Sequence, residues 1–187
     1  MAEWLFHLCE QLEATSLGVW VRESIYGFPI LVAVHIITLV FSVGIVVWLD
    51  LRLVGVSMTG VPVSRVYRRL MPLAFVGFAV MTLSGGSLLT GFATSAYKNP
   101  YFRVKLVALL TAGVNALVYH TNIERRIALW DRSPVPPTAA RMAGLISIAA
   151  WTTVILAGRI FGASKLRSSS NRSMIVYSRR APMFCVD

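Results

Sequence analysis

Charge is scarce in this chain. Only 14% of its 187 residues are Asp, Glu, Lys or Arg, and only 8 of those are acidic. A solvated surface needs more than that, so a soluble domain is excluded. The hydrophobic fraction is 56%, against roughly 45–50% in an average soluble protein, and the mean hydropathy is +0.68. Intrinsic disorder is excluded too, because disordered chains are poor in apolar residues. Cysteine is nearly absent, with Cys9 and Cys185 alone. No Cys or His pair has zinc-finger spacing, and no Gly-rich phosphate loop occurs. Gly85-Gly86 lies inside an apolar run and is not a nucleotide loop. Internal repeats are also missing.

What the chain does have is long apolar runs. Four of them, over about 28–49, 71–97, 103–123 and 142–163, are candidate spans. A bilayer core of about 30 Å needs about 20 apolar residues in a helix. Buried helices of soluble proteins rarely reach this length without a polar face. Barrel strands are shorter and alternate strictly. The expected fold is therefore all-α: an integral membrane, antiparallel four-helix bundle over 28–163. Small residues at spacing four mark its packing faces: Ser87, Gly91 and Ser95, then Ala108, Ala112 and Ala116, then Ala143 and Ser147.

The flanks differ in character. Residues 1–27 carry Glu3, Glu10, Glu13 and Glu23 against Arg22, which is not the basic start of a signal peptide. Trp4, Leu5, Leu8 and Leu12 recur at helical spacing, so an interfacial amphipathic helix is expected here, followed by a second short segment, Ser16 to Tyr26, that leads into Pro29. Residues 164–187 are rich in Ser and Arg and lack an apolar pattern. They are expected to form a disordered basic tail.

The net charge of +10 is not a nucleic-acid footprint, because no basic face exists on a soluble fold. Lys and Arg in the flanks orient membrane helices instead. Arg52, Arg65, Arg68 and Arg69 follow span one, and Arg125, Arg126, Arg132 and Arg141 follow span three. The other side holds Arg22, Lys98, Arg103 and Lys105, joined by the basic tail. The early spans and the acidic N-terminus place both termini outside the cytoplasm, on the periplasmic face of an inner membrane.

Ionisable groups inside a membrane are costly and mark candidate sites. His35 lies well inside span one, with Thr38 and Ser42 on the same stripe. It suits an axial ligand for haem b or a metal ligand. A hydrogen bond to a neighbouring helix is the alternative. Lys105 and Arg159 lie near the same end, where an anionic group would be matched: haem propionates, a quinone head group or a lipid phosphate. Snorkelling of Arg159, with Glu23 as an ion-pair partner, is the alternative. His120 lies at the other end of span three, so His35 and His120 do not share one iron. A haem at His35 would take its second ligand from elsewhere, such as His7 on the N-terminal helix, or stay five-coordinate. Asn115 and Thr111 are expected to make interhelical hydrogen bonds. No carboxylate lies deep within the expected spans, which argues against an ion-coupled transporter.

Several short pieces occur in a set order: Glu23-Ser24, Pro29 to His35, Asp50-Leu51-Arg52 with Gly55, Lys105, then Ser147, Trp151 and Gly158-Arg159. In this order the chain resembles an uncharacterised family of small bacterial four-span inner-membrane proteins over roughly residues 15–162. A looser similarity links it to four-helix b-type cytochromes and copper-resistance membrane proteins. Those families use several intramembrane histidines, and His35 is the one clearly placed here. The resemblance implies architecture more than activity. The expected function is an accessory or binding subunit of a membrane complex, in contact with the lipid bilayer and with partner subunits, and without stand-alone catalysis. A b-type cytochrome-like electron-transfer subunit and a metal-handling or transport protein are the alternatives. The orientation is directly testable. With Cys9 and Cys185 replaced by alanine, an Arg126→Cys variant is expected to react with an impermeant maleimide only from the cytoplasmic side. Labelling from outside would invert the topology.

Overall fold

The computed structural model describes residues 2–123, 127, 129–131, 133 and 135–180. Among these, seven helices and no strands occur: α1 Ala2–Ala14, α2 Ser16–Glu23, α3 Gly27–Val54, α4 Val63–Gly91, α5 Ala93–Lys98, α6 Pro100–Val118 and α7 Thr138–Arg180. A π-helical turn, Tyr119–Ile123, extends α6. Arg125, Arg126 and Arg132, used above for orientation, lie outside the described residues, as does Cys185.

Four helices are long and apolar enough to cross a membrane: Gly27–Val54, Val63–Gly91, Pro100–Asn122 and Thr138–Ala163. The first has 28 residues, or about 42 Å at 1.5 Å per residue. It starts where Ser24 Oγ accepts from Gly27 N (2.9 Å). It stops at Gly55, whose φ of 89° is left-handed, a conformation that costs glycine little. Pro29 sits in the first turn, where its missing N–H is harmless.

Distant side chains finish the other helix ends. The Asp131 carboxylate accepts from Ser64 N (2.7 Å) and Ser64 Oγ (2.6 Å) at the start of α4. Glu13 accepts from Thr94 N and Thr94 Oγ1, both at 2.7 Å, at the start of α5. Negative groups belong at helix N-termini, where free N–H groups point outward. Asn99 caps α6 through Tyr101 N (2.9 Å), and Pro100 occupies its first turn.

The bundle is two antiparallel hairpins, α3–α4 and α6–α7, joined along an α3–α7 seam, while α4 and α6 barely meet. Small residues set the close approaches. A Cβ on Gly77 would run into the Ser42 side chain, and one on Gly144 would lie 2.9 Å from the Asp50 carbonyl oxygen. Ala108, Ala112 and Ala150 pack with Val43, Met81, Trp151 and Val154 in one core cluster. The perimeter is apolar instead of polar: Ile37, Leu83 and Leu110 are about 70% exposed, at 68%, 72% and 69%. That inside-out distribution suits lipid.

The structure corrects the expected boundaries. Span two does not run over 71–97. Its helix begins at Val63 and breaks at Phe92, whose φ and ψ of −144° and 28° leave the helical region. The break lets α2 pack beside it: a Cβ on Gly91 would lie 2.8 Å from Val21 Cγ1. The packing row on α4 is consequently Ala74, Gly77, Met81 and Ser84, all buried, and Ser95 is exposed. The N-terminal segment is two helices, with Trp4, Leu5 and Leu8 exposed on α1. The expected disordered tail differs as well. The α7 backbone stays helical to Arg180, with no glycine or proline between Gly162 and Arg180 to interrupt it. Residues 181–187 lie outside the described residues.

Gly144→Val is expected to push α7 from α3 and lower stability by about 1–3 kcal/mol. Gly86→Ala meets open space and is expected to be neutral or slightly stabilising. Thermal unfolding of both variants in detergent checks this. Equal melting temperatures would contradict the close α3–α7 seam.

Candidate functional site

The helices bring polar groups together at two places, one toward each end of the bundle. The first contains His35 and Lys105. The second is a cavity beside Asp50.

His35 points from α3 toward α4. Its Nδ1 lies 3.0 Å from the Met81 carbonyl oxygen and 3.1 Å from Ser84 Oγ. A carbonyl can only accept, so Nδ1 carries the proton. Ser84 Oγ donates to the Val80 or Met81 carbonyl of its own helix, which leaves it an acceptor for the same N–H. The ring lies against Gly85, where a Cβ would be 2.8 Å from Cε1. A neutral imidazole protonated at Nδ1 has a lone pair at Nε2, and no partner for Nε2 occurs among the described residues.

Lys105, on α6, approaches the same place. Its charge is close enough to act on the His35 ring. Its Nζ lies 3.8 Å from where a Cβ on Gly158 would sit. It has neither an ion pair nor a hydrogen bond among the described residues. Gly158 is thus the α7 residue that faces this site. Arg159, the next residue, is exposed. A helical step of about 100° turns it away from the interior. Glu23 is exposed as well, and no ion pair joins it to Arg159 among the described residues. His7 pairs with Glu10 (3.2 Å) on an exposed face of α1.

The second place is a cavity of about 350 Å³ between α3, α4, α6 and α7. It exists because α4 and α6 diverge. Its walls include Phe75, Phe78, Tyr119 and Trp151, with polar groups from Asp50, Tyr67, Asn115, His120 and Ser147. Tyr67 Oη lies 2.9 Å from His120 Nδ1. Asn115 Nδ2 donates to the Ala143 carbonyl (2.9 Å), the interhelical bond expected of it. Thr111 bonds its own helix at Val107 instead. Asp50 is only 6% exposed. The Ser147 hydroxyl stands next to its carboxyl group, and Oδ2 is buried without a hydrogen-bond partner.

Asp50 corrects the sequence reading. The helix does not stop at 49, and Asp50 lies inside α3, so a buried carboxylate does occur within a spanning helix. It stands four residues before the end of α3 at Val54, at the edge of the span and not deep within it. The signal was present in Asp50-Leu51-Arg52, but a charged pair at the end of an apolar run reads as a helix edge. Arg52 is itself fully buried. Its guanidinium donates to the carbonyls of Val61 (3.0 Å), Thr59 (3.4 Å) and Ser133 (3.4 Å), so it ties the loops and does not pair with Asp50.

The histidines stand apart. His35 faces the α4 segment near Ser84, and His120 faces Tyr67 near the start of the same helix. Among the described residues, no group of three or more His, Cys, Asp or Glu side chains could hold a metal ion.

An all-helical bundle with four membrane-span-like helices and polar groups facing its interior defines a class of multi-pass membrane protein. Within that class, residues 13–164 match the family model described as Family of unknown function (DUF6644). The match covers most of the chain, and the protein belongs to this family. No curated protein and no solved structure matches the chain.

Proposed function

We propose that the protein is a binding subunit of an inner membrane, with both termini on the periplasmic side and no catalysis of its own, and that His35 and Lys105 hold the head group of an amphipathic ligand. One observation carries this reading: the Met81 carbonyl fixes the His35 proton on Nδ1 and leaves Nε2 as an acceptor, with the unpaired Lys105 ammonium within electrostatic reach of the ring. A half-buried ammonium without a partner is costly in a membrane, and an anionic or strongly hydrogen-bonding head group offsets that cost. Phenolic, quinol-type and phosphate head groups share this chemistry. Arg159 stays at the exposed rim and attracts such a group without touching it.

A second reading is favoured by the same histidine. Metal-ligating imidazoles usually donate their other ring N–H to a carbonyl, as His35 does to Met81. In a b-type cytochrome-like subunit, Nε2 would ligate haem iron and Lys105 would meet a propionate. His120 takes no part in this, because it faces Tyr67.

Mass spectrometry of lipophiles extracted from protein purified in mild detergent tests the first reading. An acidic or phenolic amphiphile is expected, with occupancy about tenfold lower in Lys105→Met and unchanged in Lys98→Met. Equal occupancy in Lys105→Met would contradict it. A visible spectrum separates the second reading. A Soret band lost in His35→Ala and kept in His120→Ala supports haem, and a colourless, fully helical preparation removes it.

A further inference from the structure

The cavity beside Asp50 is separate from the His35–Lys105 site, and its chemistry is of opposite sign. Asp50 presents a carboxylate oxygen, Oδ2, that is buried and unpartnered. The residue is 94% buried by its 6% exposure. Among the described residues no ion pair reaches it: the pairs are His7–Glu10 and Arg22–Glu13, and Arg52 turns Nε and Nη2 to loop carbonyls. A buried charge without a counter-charge is strongly unfavourable. The cavity volume, about 350 Å³, falls in the usual range of small-molecule sites, about 300–1,000 Å³.

We infer that this cavity binds an organic cation, an amine or quaternary ammonium carrying an apolar body, with its charge against Asp50 Oδ2. The wall decides between an organic and an inorganic cation. A metal ion needs several hard or nitrogen ligands, and no cluster of three such residues occurs among the described side chains. The wall offers aromatic faces instead, from Tyr67, Phe75, Phe78, Tyr119 and Trp151. Aromatic faces attract alkylammonium groups and accommodate apolar bodies equally well. Ser147 lines the same cavity beside Asp50 and adds a hydroxyl to the polar end of the wall. Asp50 lies four residues before the end of α3 at Val54, about 6 Å along the axis, so a ligand with a charged head reaches it near the helix end and not at the bilayer centre.

The test uses the full chain in lipid nanodiscs with tritiated benzyltrimethylammonium as the probe. Its uncharged isostere, neopentylbenzene, serves as competitor. The wild-type protein is expected to bind the probe saturably, and excess isostere is expected not to displace it. Asp50→Asn is expected to weaken binding at least about tenfold. Gly113 lines the cavity, and a Cβ there meets open space. Gly113→Leu should fill the cavity and abolish binding while the melting temperature is kept. Absence of saturable binding in the wild type overturns the inference. So does displacement by equimolar isostere, unchanged binding in Asp50→Asn, or unchanged binding in Gly113→Leu. Should Asp50→Asn fail to fold, the isostere competition and Gly113→Leu still decide.

Discussion

Helix α3 touches its neighbours through positions where one partner has no side chain. Ser42 meets Gly77, the His35 ring meets Gly85, and the Asp50 backbone meets Gly144. In lipid the burial of apolar surface gives helices little reason to associate, so packing and polar contacts must supply the attraction. These glycines let α4 and α7 approach α3 closely on two sides. The same approach turns His35 and Asp50 toward the interior. It also leaves α4 and α6 apart, because both hairpins are drawn to the α3–α7 seam. The cavity follows from that geometry and not from any special residue in its wall.

Polar groups divide into those the fold consumes and those it leaves over. Asp131 and Glu13 cap helix starts, Arg52 ties three loop carbonyls, and Asn115 links α6 to α7. Each satisfies backbone groups that would otherwise be orphaned. Among the described residues, Lys105, His35 Nε2 and Asp50 Oδ2 are left over, as are Ser42 Oγ at the Gly77 contact and Arg52 Nη1 under the loops. Groups that are costly to bury and unused by the architecture are the ones a ligand would engage. Lys105 and Asp50 stand at separate places on the bundle, with opposite charge, and this separation underlies both proposed sites.

Much of this was legible in the sequence, for identifiable reasons. The four spans were visible because lipid selects for uninterrupted apolar length. His35 and Lys105 stood out because ionisable residues are rare in such runs. The end of span two was not legible. The apolar run continues through Tyr97, and hydropathy does not register the backbone break at Phe92, beside which α2 packs and Glu13 caps α5. Asp50 was missed for the converse reason: a charge at the edge of a run looks solvated until Arg52 is seen folded onto carbonyls from the loops. Arg159 shows the limit of counting depth along a helix. It shares a level with Gly158, but one residue of rotation puts it on the exposed face. The extent of α7 beyond Ala163 was not expected either, since composition there predicts disorder and the absence of glycine and proline permits a helix.

The proposed His35–Lys105 site depends most directly on the protonation of one imidazole. The chain has 3 histidines, so nitrogen-15 NMR of selectively labelled protein in lipid, at mildly alkaline pH, can resolve each ring. His35 is expected to be neutral with its proton on Nδ1 and a pyridine-type Nε2. A His35 ring protonated at Nε2 would contradict the bond to Met81 and, with it, the binding site built on that bond.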